Sequence, residues 1–388
     1  MGDRLRLRPV RAPVQAGAPP RCRVGRRGAR TARGGARAGQ GRRSSRAEAA
    51  PDLLTDPGLS RETRAQAELA AAALARYSAH PSARLSFVRH GENTTYRVQG
   101  PGIDWAVRLE RPGYQSVEAI RSEIAWMRAL NEEGIATPAP IPGRDGDFVQ
   151  LVPHPEGGVR EAVAFTWVDG LPLPEVAGVD AWTRLGEIMA RIHEHGLRWR
   201  TPPEFVRTAW DAEALVGEDP RWGNPFPPGQ WTADELRQLE AARELVRKRL
   251  CVLGQGKERY GLIHADLGFE NVLVRPDGST LVIDFDDSGP SWYLYELASA
   301  LYPLEDEPGF AERRDAVVAG YRSVRPLADE DVAELPTLLM ARRLATLGWT
   351  FSRSETAHAQ RQRAHRLRTS PPAARRYLDQ LGVDADPR

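Results

Sequence analysis

The sequence predicts an α+β protein of two lobes, a small antiparallel sheet followed by a mainly helical body. Three observations carry this. Short alternating strands separated by turn-prone residues crowd residues 85–109. Beyond Gly170 apolar residues recur at helical spacing. Within that helical part, residues 271–283 read as a hairpin turning on Pro276-Asp277-Gly278. With 388 residues, 41% of them hydrophobic, the chain can bury a sizeable core in one bilobal unit. The expected layout is an Arg-rich tail over 1–55, a first lobe over 56–168 and a second over 169–388.

Residues 1–50 hold 14 Arg against Asp3 and Glu48, a balance of +12; since the whole chain is +2, the remainder carries −10. Almost devoid of large apolar side chains, this segment cannot offset its ordering entropy and is expected to be disordered. Clustered Arg gains affinity for nucleic acid through counterion release. The blander readings, an inert tail or a start assigned too far upstream, are favoured, so nucleic acid is not the expected partner. No apolar stretch follows the basic residues to make a targeting peptide. No run approaches 18 apolar residues, so no spanning helix and no membrane partner is expected. Cys22 and Cys251 are too few for a disulfide framework, which fits a reducing cytoplasm.

In order, Leu59–Tyr77 reads as an Ala-rich helix with Ser60 as its N-cap. Leu85–Val88, Thr95–Val98 and Trp105–Leu109 alternate as strands, joined by His90-Gly91-Glu92-Asn93 and Gly100-Pro101-Gly102. Ser116 caps a helix whose apolar stripe is Ile120, Ile124, Met127 and Leu130. Glu123 lies on that stripe, and an inward carboxylate needs a partner. Phe148–Val152 and Ala162–Val168 form a further hairpin that ends at Asp169-Gly170. Trp182–His195 is a core helix; its His193 and His195 point opposite ways and make a poor metal pair. Thr201–Gln230, rich in Pro, Gly and Trp, is an irregular insertion. Helices follow over Asp234–Leu250, Trp292–Leu301 and Pro336–Phe351, and Arg361–Arg376 reads as a solvated helix face.

The chemistry concentrates in Tyr260–Leu297. His264, Asp266 and Asn271 form H-x-D-x-x-x-x-N, and Asp284-Phe285-Asp286-Asp287 ends the returning strand thirteen residues later. The hairpin sets Asn271 at the start of one strand and Asp284 at the end of the next, so both converge beside Asp266. Such hard oxygen donors suit Mg2+, which shares its positions between one or two protein groups, waters and phosphate oxygens. Asp266, free of the metal, is then placed to take an acceptor hydroxyl's proton. Either motif alone usually only caps a loop; three polar positions in this order point to phosphoryl transfer.

This segment resembles the motif of the aminoglycoside phosphotransferase and choline kinase superfamily, small relatives of the protein-kinase fold. Its D-hydrophobic-D-D element is similar to that of the bacterial stress-response Ser/Thr kinase branch. The resemblance implies a protein-kinase-like fold with ATP and Mg2+ as cofactors, Asp266 as the catalytic residue, and Asn271 and Asp284 as metal ligands. His264 matches a structural histidine, Ala265 stands where antibiotic kinases commonly carry Gly, and Glu296 matches a commonly Asp position that braces the loop. Backbone at Thr166 and Val168 would read adenine at the hinge. Gly91 and Asn93 sit where such folds place a phosphate loop, although a full G-x-G-x-x-G is missing. The third strand lacks the usual Lys, the only lysines being Lys248 and Lys257. Arg108 takes its place, with Glu123 as its implied partner; the bland alternative is a solvated Glu123 beside Arg121 or Arg128.

The expected activity is transfer of the ATP γ-phosphate to an acceptor hydroxyl, on protein Ser/Thr or on a small molecule such as an amino sugar or amino alcohol. From Asp169 onward 35 acidic residues face 28 basic ones, a lean toward a cationic acceptor. The insertion over Thr201–Gln230 is either an acceptor-binding cap or filler packed by its tryptophans. The alternative reading is a pseudokinase, a nucleotide-binding or scaffold protein. The missing Lys and Gly-rich pattern favour it; intact Asp266, Asn271 and Asp284 oppose it.

Overall fold

The computed structural model describes residues 61–154, 157–173 and 180–382; the Arg-rich tail and the Ser60 cap lie outside them. Helix α1 (Arg61–Leu74) lays Ala67, Ala70 and Ala73, followed by Tyr77, on a sheet whose facing residues are Tyr96, Val98, Val107 and Leu109. Alanines let helix and sheet approach closely, and aromatic and branched residues fill the pleated surface.

The sheet contains β1 (Arg84–His90), β2 (Thr94–Gly100), β3 (Ile103–Leu109), β4 (Pro140–Ile141), β5 (Val149–Pro153) and β6 (Val159–Thr166). These six strands are antiparallel in the order β1-β2-β3-β6-β4, with β5 also paired to β6. Opposite residues share a face, so Tyr96 with Val107 points to α1 while Thr95 with Arg108 points the other way. β1 carries a bulge: Phe87 opposes Tyr96, yet Arg89 opposes Thr95, leaving Val88 unmatched. One extra residue reverses the alternation. Arg89 therefore joins Thr95 and Arg108 on the face away from α1.

Helix α2 (Val117–Glu132) starts as the sequence predicts, with the Ser116 hydroxyl accepting the Ala119 N–H at 3.2 Å. Its stripe Ile120, Ile124, Met127 and Leu130 is buried, and Trp126 meets Phe285 edge-on at 5.5 Å. β7 (Leu171–Pro172) then leads to the helical lobe of α3 (Ala181–Arg198), α4 (Ala212–Val216) and α5 (Ala233–Leu253). β8 (Tyr260–Ile263), β9 (Val272–Val274), β10 (Thr280–Val282) and β11 (Gly289–Trp292) frame the segment that carries His264, Asp266, Asn271 and Asp284. Helices α6 (Tyr293–Leu301), α7 (Phe310–Val324), α8 (Asp329–Val332), α9 (Leu335–Ser352) and α10 (Ala357–Gln380) complete the chain. β8 pairs with β11, and β9 pairs with both β10 and β7.

The insertion over 201–230 is largely irregular and is held by its tryptophans and backbone. Trp210 and Trp222 are buried and cross edge to face at 4.8 Å. The Trp222 carbonyl accepts the Ser352 hydroxyl at 2.6 Å, and a Cβ on Gly348 would lie 2.1 Å from the Gly223 carbonyl oxygen. Two expectations are corrected. The Arg361–Arg376 stretch is not wholly solvated: α10 buries Arg366 with its guanidinium 4.3 Å from the Tyr302 ring centroid, along with Pro371, Ala373 and Ala374. Asn271 does not begin a strand but closes a 3-10 turn over Phe269–Asn271, just before β9. His193 and His195 are both buried. Trp126 Nε1 donates to His195 Nδ1 at 3.2 Å, and His193 Nδ1 meets the Tyr321 hydroxyl at 2.9 Å. Among the described residues no helix is long and apolar enough to cross a membrane.

Candidate active site

The loop after β8 is built around His264 and Glu296. Glu296, buried on α6, accepts the N–H groups of His264 and Ala265 at 2.8 and 2.7 Å. Burial pushes its carboxyl up, but His193, His264 and these bonds hold it below its ordinary value. His264 Nδ1 accepts the Asp266 N–H at 3.3 Å, so Nε2 carries the proton and donates to the Ile283 carbonyl at 2.8 Å. The histidine thus ties the loop to the strand leading into Asp284. Asn271 Nδ2 donates to the Asp266 carbonyl at 2.8 Å, and the Ile283 N–H donates to the Asn271 carbonyl at 3.0 Å. Asp266, Asn271 and Asp284 are brought together by this lattice.

Among the described residues only Ala265 and Asp284 have positive φ without being glycine, at 69° and 68°. Left-handed backbone at such residues costs about 1–3 kcal/mol each and persists where the surroundings enforce it, typically at functional sites. Ala265 keeps a Cβ at a left-handed position that glycine would occupy without that cost.

The donor set fits a divalent cation of the Mg2+ type. With Asn271 Nδ2 engaged, its Oδ1 remains an acceptor that no described residue occupies. Asp284 receives a cation already: Arg89 Nη2 donates to its Oδ2. Burial opposes the charged form, yet Arg89 and Arg108 hold the Asp284 carboxyl below its ordinary value. One amide and one carboxylate beside a cleft are the small protein share that Mg2+ needs when phosphates supply the rest. No cluster of three His, Cys, Asp or Glu side chains able to hold a metal occurs among the described residues.

Arg108 and Glu123 meet as expected, in a buried bidentate pair at 2.9 and 2.8 Å. A second carboxylate was not foreseen: Arg108 Nε donates to Glu110 at 2.7 Å. Glu110 directly follows β3, two residues after Arg108, so continued alternation puts both on one side, a signal the sequence did contain. Burial pushes Glu110 up to about 7 against the pull of Arg108.

The first turn is engaged with the protein itself. The Gly91 N–H donates to the Asn93 carbonyl at 2.9 Å. The Asn93 side chain donates to Asp286 at 2.9 Å and accepts the Arg111 N–H at 2.8 Å, linking the sheet to the Asp284–Asp287 segment. At the hinge, the Thr166 N–H and hydroxyl are both bonded to Ala139, at 2.8 and 2.9 Å. No described residue bonds the Val168 backbone, which stays available.

Residues from distant parts of the chain complete the site. Arg342 of α9 donates to Asp266 Oδ1 at 2.5 Å and to the Ala265 carbonyl at 3.3 Å, its guanidinium 4.8 Å from the Trp222 ring centroid. Burial pushes the Asp266 carboxyl up, Asp284 adds to this, and Arg342 and His264 oppose it. Asp287 accepts from the Tyr114 hydroxyl, and burial together with the Asp266 charge pushes it up to about 6. Trp222 Nε1 donates to the Tyr114 hydroxyl at 3.0 Å, so the insertion is tied to the residue that bonds Asp287. Arg207, also from the insertion, donates to the carbonyls of Ala119, Phe285, Asp286 and Ser288. Adjacent arginines inside an otherwise apolar helix, Arg342 and Arg343, were the sequence sign that one must face inward.

A six-stranded antiparallel sheet, a helical lobe, and an Asp–Asn–Asp loop and hairpin between them define a protein-kinase-like phosphotransferase fold. The sequence pattern of the phosphotransferase enzyme family matches residues 84–329, and the chain belongs to that family. It is 24% identical to the amicoumacin kinase of Bacillus subtilis over 292 residues, 72% of this chain and 83% of that one. Identity to the homoserine kinase of Mesorhizobium japonicum is 27% over 262 residues, 63% and 76% of the two chains. Among solved structures, a microcompartment-associated aminopropanol kinase superposes with a TM-score of 0.74 at 35% identity, covering 81% of this chain and 98% of the other. An amicoumacin kinase in complex with AMP-PNP, Ca2+ and Ami shares the fold at 21% identity and a TM-score of 0.63, covering 77% and 91%. These matches support the family as a whole and do not single out the stress-response branch.

Proposed function

We propose that this protein transfers the γ-phosphate of ATP, with Mg2+, to the hydroxyl of a small amine-bearing acceptor in the cytoplasm. The observation that carries the reading is the direct bond between Asn271 and Asp266, together with the bonds of Asn271 and His264 with Ile283, the residue before Asp284. Mg2+ on Asn271 Oδ1 and Asp284 would offset charge on the phosphates. Arg342 occupies Asp266 Oδ1, which leaves Oδ2 to accept the acceptor's hydroxyl hydrogen. As the hydroxyl oxygen bonds to the γ-phosphorus, the bond to the bridging oxygen breaks, ADP leaves and the proton passes to Asp266. Arg108, held by Glu110 and Glu123, braces β3 beside the nucleotide, and the Val168 backbone is the adenine reader.

An amine-bearing acceptor is supported from two sides. Asp287 lies beside Asp266 and offers a carboxylate suited to an ammonium group, whereas the Tyr114 ring bonded to it already carries the Arg221 and Arg353 guanidiniums. Aminopropanol and homoserine, named in two of the similar proteins, each carry an amine and a hydroxyl. The test is ATP consumption over amino alcohols, amino sugars and protein substrates such as casein, with Asp266→Ala as the blank. Asp266→Ala is expected to keep nucleotide binding and lose at least about 10²-fold in turnover. Equal rates in the two proteins overturn the assignment. The pseudokinase reading keeps one supporting observation, an Arg108 whose N–H groups are spent on two glutamates. Nucleotide binding without turnover of any acceptor by the wild type would select it.

A further inference from the structure

The cation placed to reach the phosphates is not the one on the third strand. Arg108 is buried and three of its N–H bonds go to Glu110 and Glu123, two carboxylates against one guanidinium. Its position is fixed and its charge is already answered. Arg89 differs in each respect. Its side chain is 56% exposed, and the carboxylate it touches is Asp284, the proposed metal ligand. It sits at the end of an edge strand, next to the turn that overhangs the metal-binding segment. The Val88 bulge is what puts it there. With regular alternation Arg89 would share the face of Phe87 and Tyr96 and point toward α1. Bulges commonly re-aim a side chain beside an active site.

We propose that Arg89 is a phosphate-binding residue for the nucleotide, resting on the ATP-dependent reading above. When a metal–nucleotide complex takes Asp284, the Arg89 guanidinium exchanges that carboxylate for oxygens of the β- and γ-phosphates. A guanidinium suits both partners, since its planar fork matches carboxylate and phosphate alike and stays charged throughout. The same exchange makes Arg89 a competitor of the metal in the absence of nucleotide, because both cations need one carboxylate.

The experiment measures two affinities in the full chain: calorimetric titration with AMP-PNP and Mg2+, and binding of Mn2+ alone followed by its paramagnetic resonance. Arg89→Met is expected to weaken the nucleotide about tenfold, the loss of one charge-assisted phosphate contact. It is expected to tighten Mn2+ alone severalfold, because Asp284 loses its internal partner. Arg89→Lys, which keeps the charge, is expected to retain most of the nucleotide affinity. Unchanged nucleotide affinity in Arg89→Met, or a parallel loss of both affinities as from a merely structural role, overturns the proposal. A wild-type protein that binds no nucleotide sinks the ATP-dependent reading and this proposal with it; a wild type that binds while Arg89→Met binds equally well sinks this proposal alone.

Discussion

Arg342→Met removes the cation in contact with the proposed base while keeping an apolar side chain against Trp222 and Tyr295. A charge-assisted hydrogen bond is worth about 1.5–3 kcal/mol when shielded. Asp266 is 41% exposed, so solvent screening reduces this to about 1 kcal/mol. The other titratable groups around Asp266 are His264 on its own loop, Asp284 and Asp287 after β10, and Glu270; all remain. Without Arg342, burial and Asp284 push the Asp266 carboxyl further up. Asp266 accepts a proton only when ionised, so the acid limb of kcat/KM moves to higher pH. On that limb the variant falls about fivefold below the wild type beyond any change on the alkaline plateau. The assay is kcat/KM for an amino alcohol between pH 5 and 9, with Arg342→Lys expected to restore the limb. A uniform loss at every pH, with the limb unmoved, would show that Arg342 only packs and would refute the reasoning.

Glu123→Gln should cost about 2–3 kcal/mol in urea denaturation, since it leaves half of a buried ion pair; a loss under about 0.5 kcal/mol would mean that Glu110 alone satisfies Arg108. Glu110 is pushed up from 4.5 to about 7, so the folded protein binds its proton more tightly than the unfolded chain does. Stability from this group is full below pH 4.5 and is lost as pH rises to about 7. Glu110→Gln should therefore flatten the decline in stability between pH 5 and 8 by up to about 3 kcal/mol. Parallel declines in wild type and variant would place that proton elsewhere.

Local signals carried much of the fold. The Ser116 cap, the Ile120 to Leu130 stripe and the strands of the first lobe follow from turn chemistry and from periods of 3.6 and 2, which are readable within a few residues. The pairing of Arg108 with Glu123 was legible for the same reason, because an inward carboxylate has to find a cation. What was missed depends on contacts across the chain. Arg342 lies 76 residues from Asp266, and only the packing of α9 against the catalytic loop joins them. Arg89 was hidden by a single unmatched residue, since alternation alone assigns it to the wrong face. The expected solvated face over Arg361–Arg376 failed because arginine's long stem can pack inward when its guanidinium finds a ring, as Arg366 does over Tyr302.

The backbone of the insertion touches that of α9 so closely at Gly223 and Gly348 that no side chain fits between them, and Trp222 is fastened to Ser352. Insertion and helix are thus joined main chain to main chain, with no side chain acting as a spacer. A methyl group at position 348 would meet the Gly223 carbonyl oxygen head-on, so even alanine there would have to prise the two backbones apart.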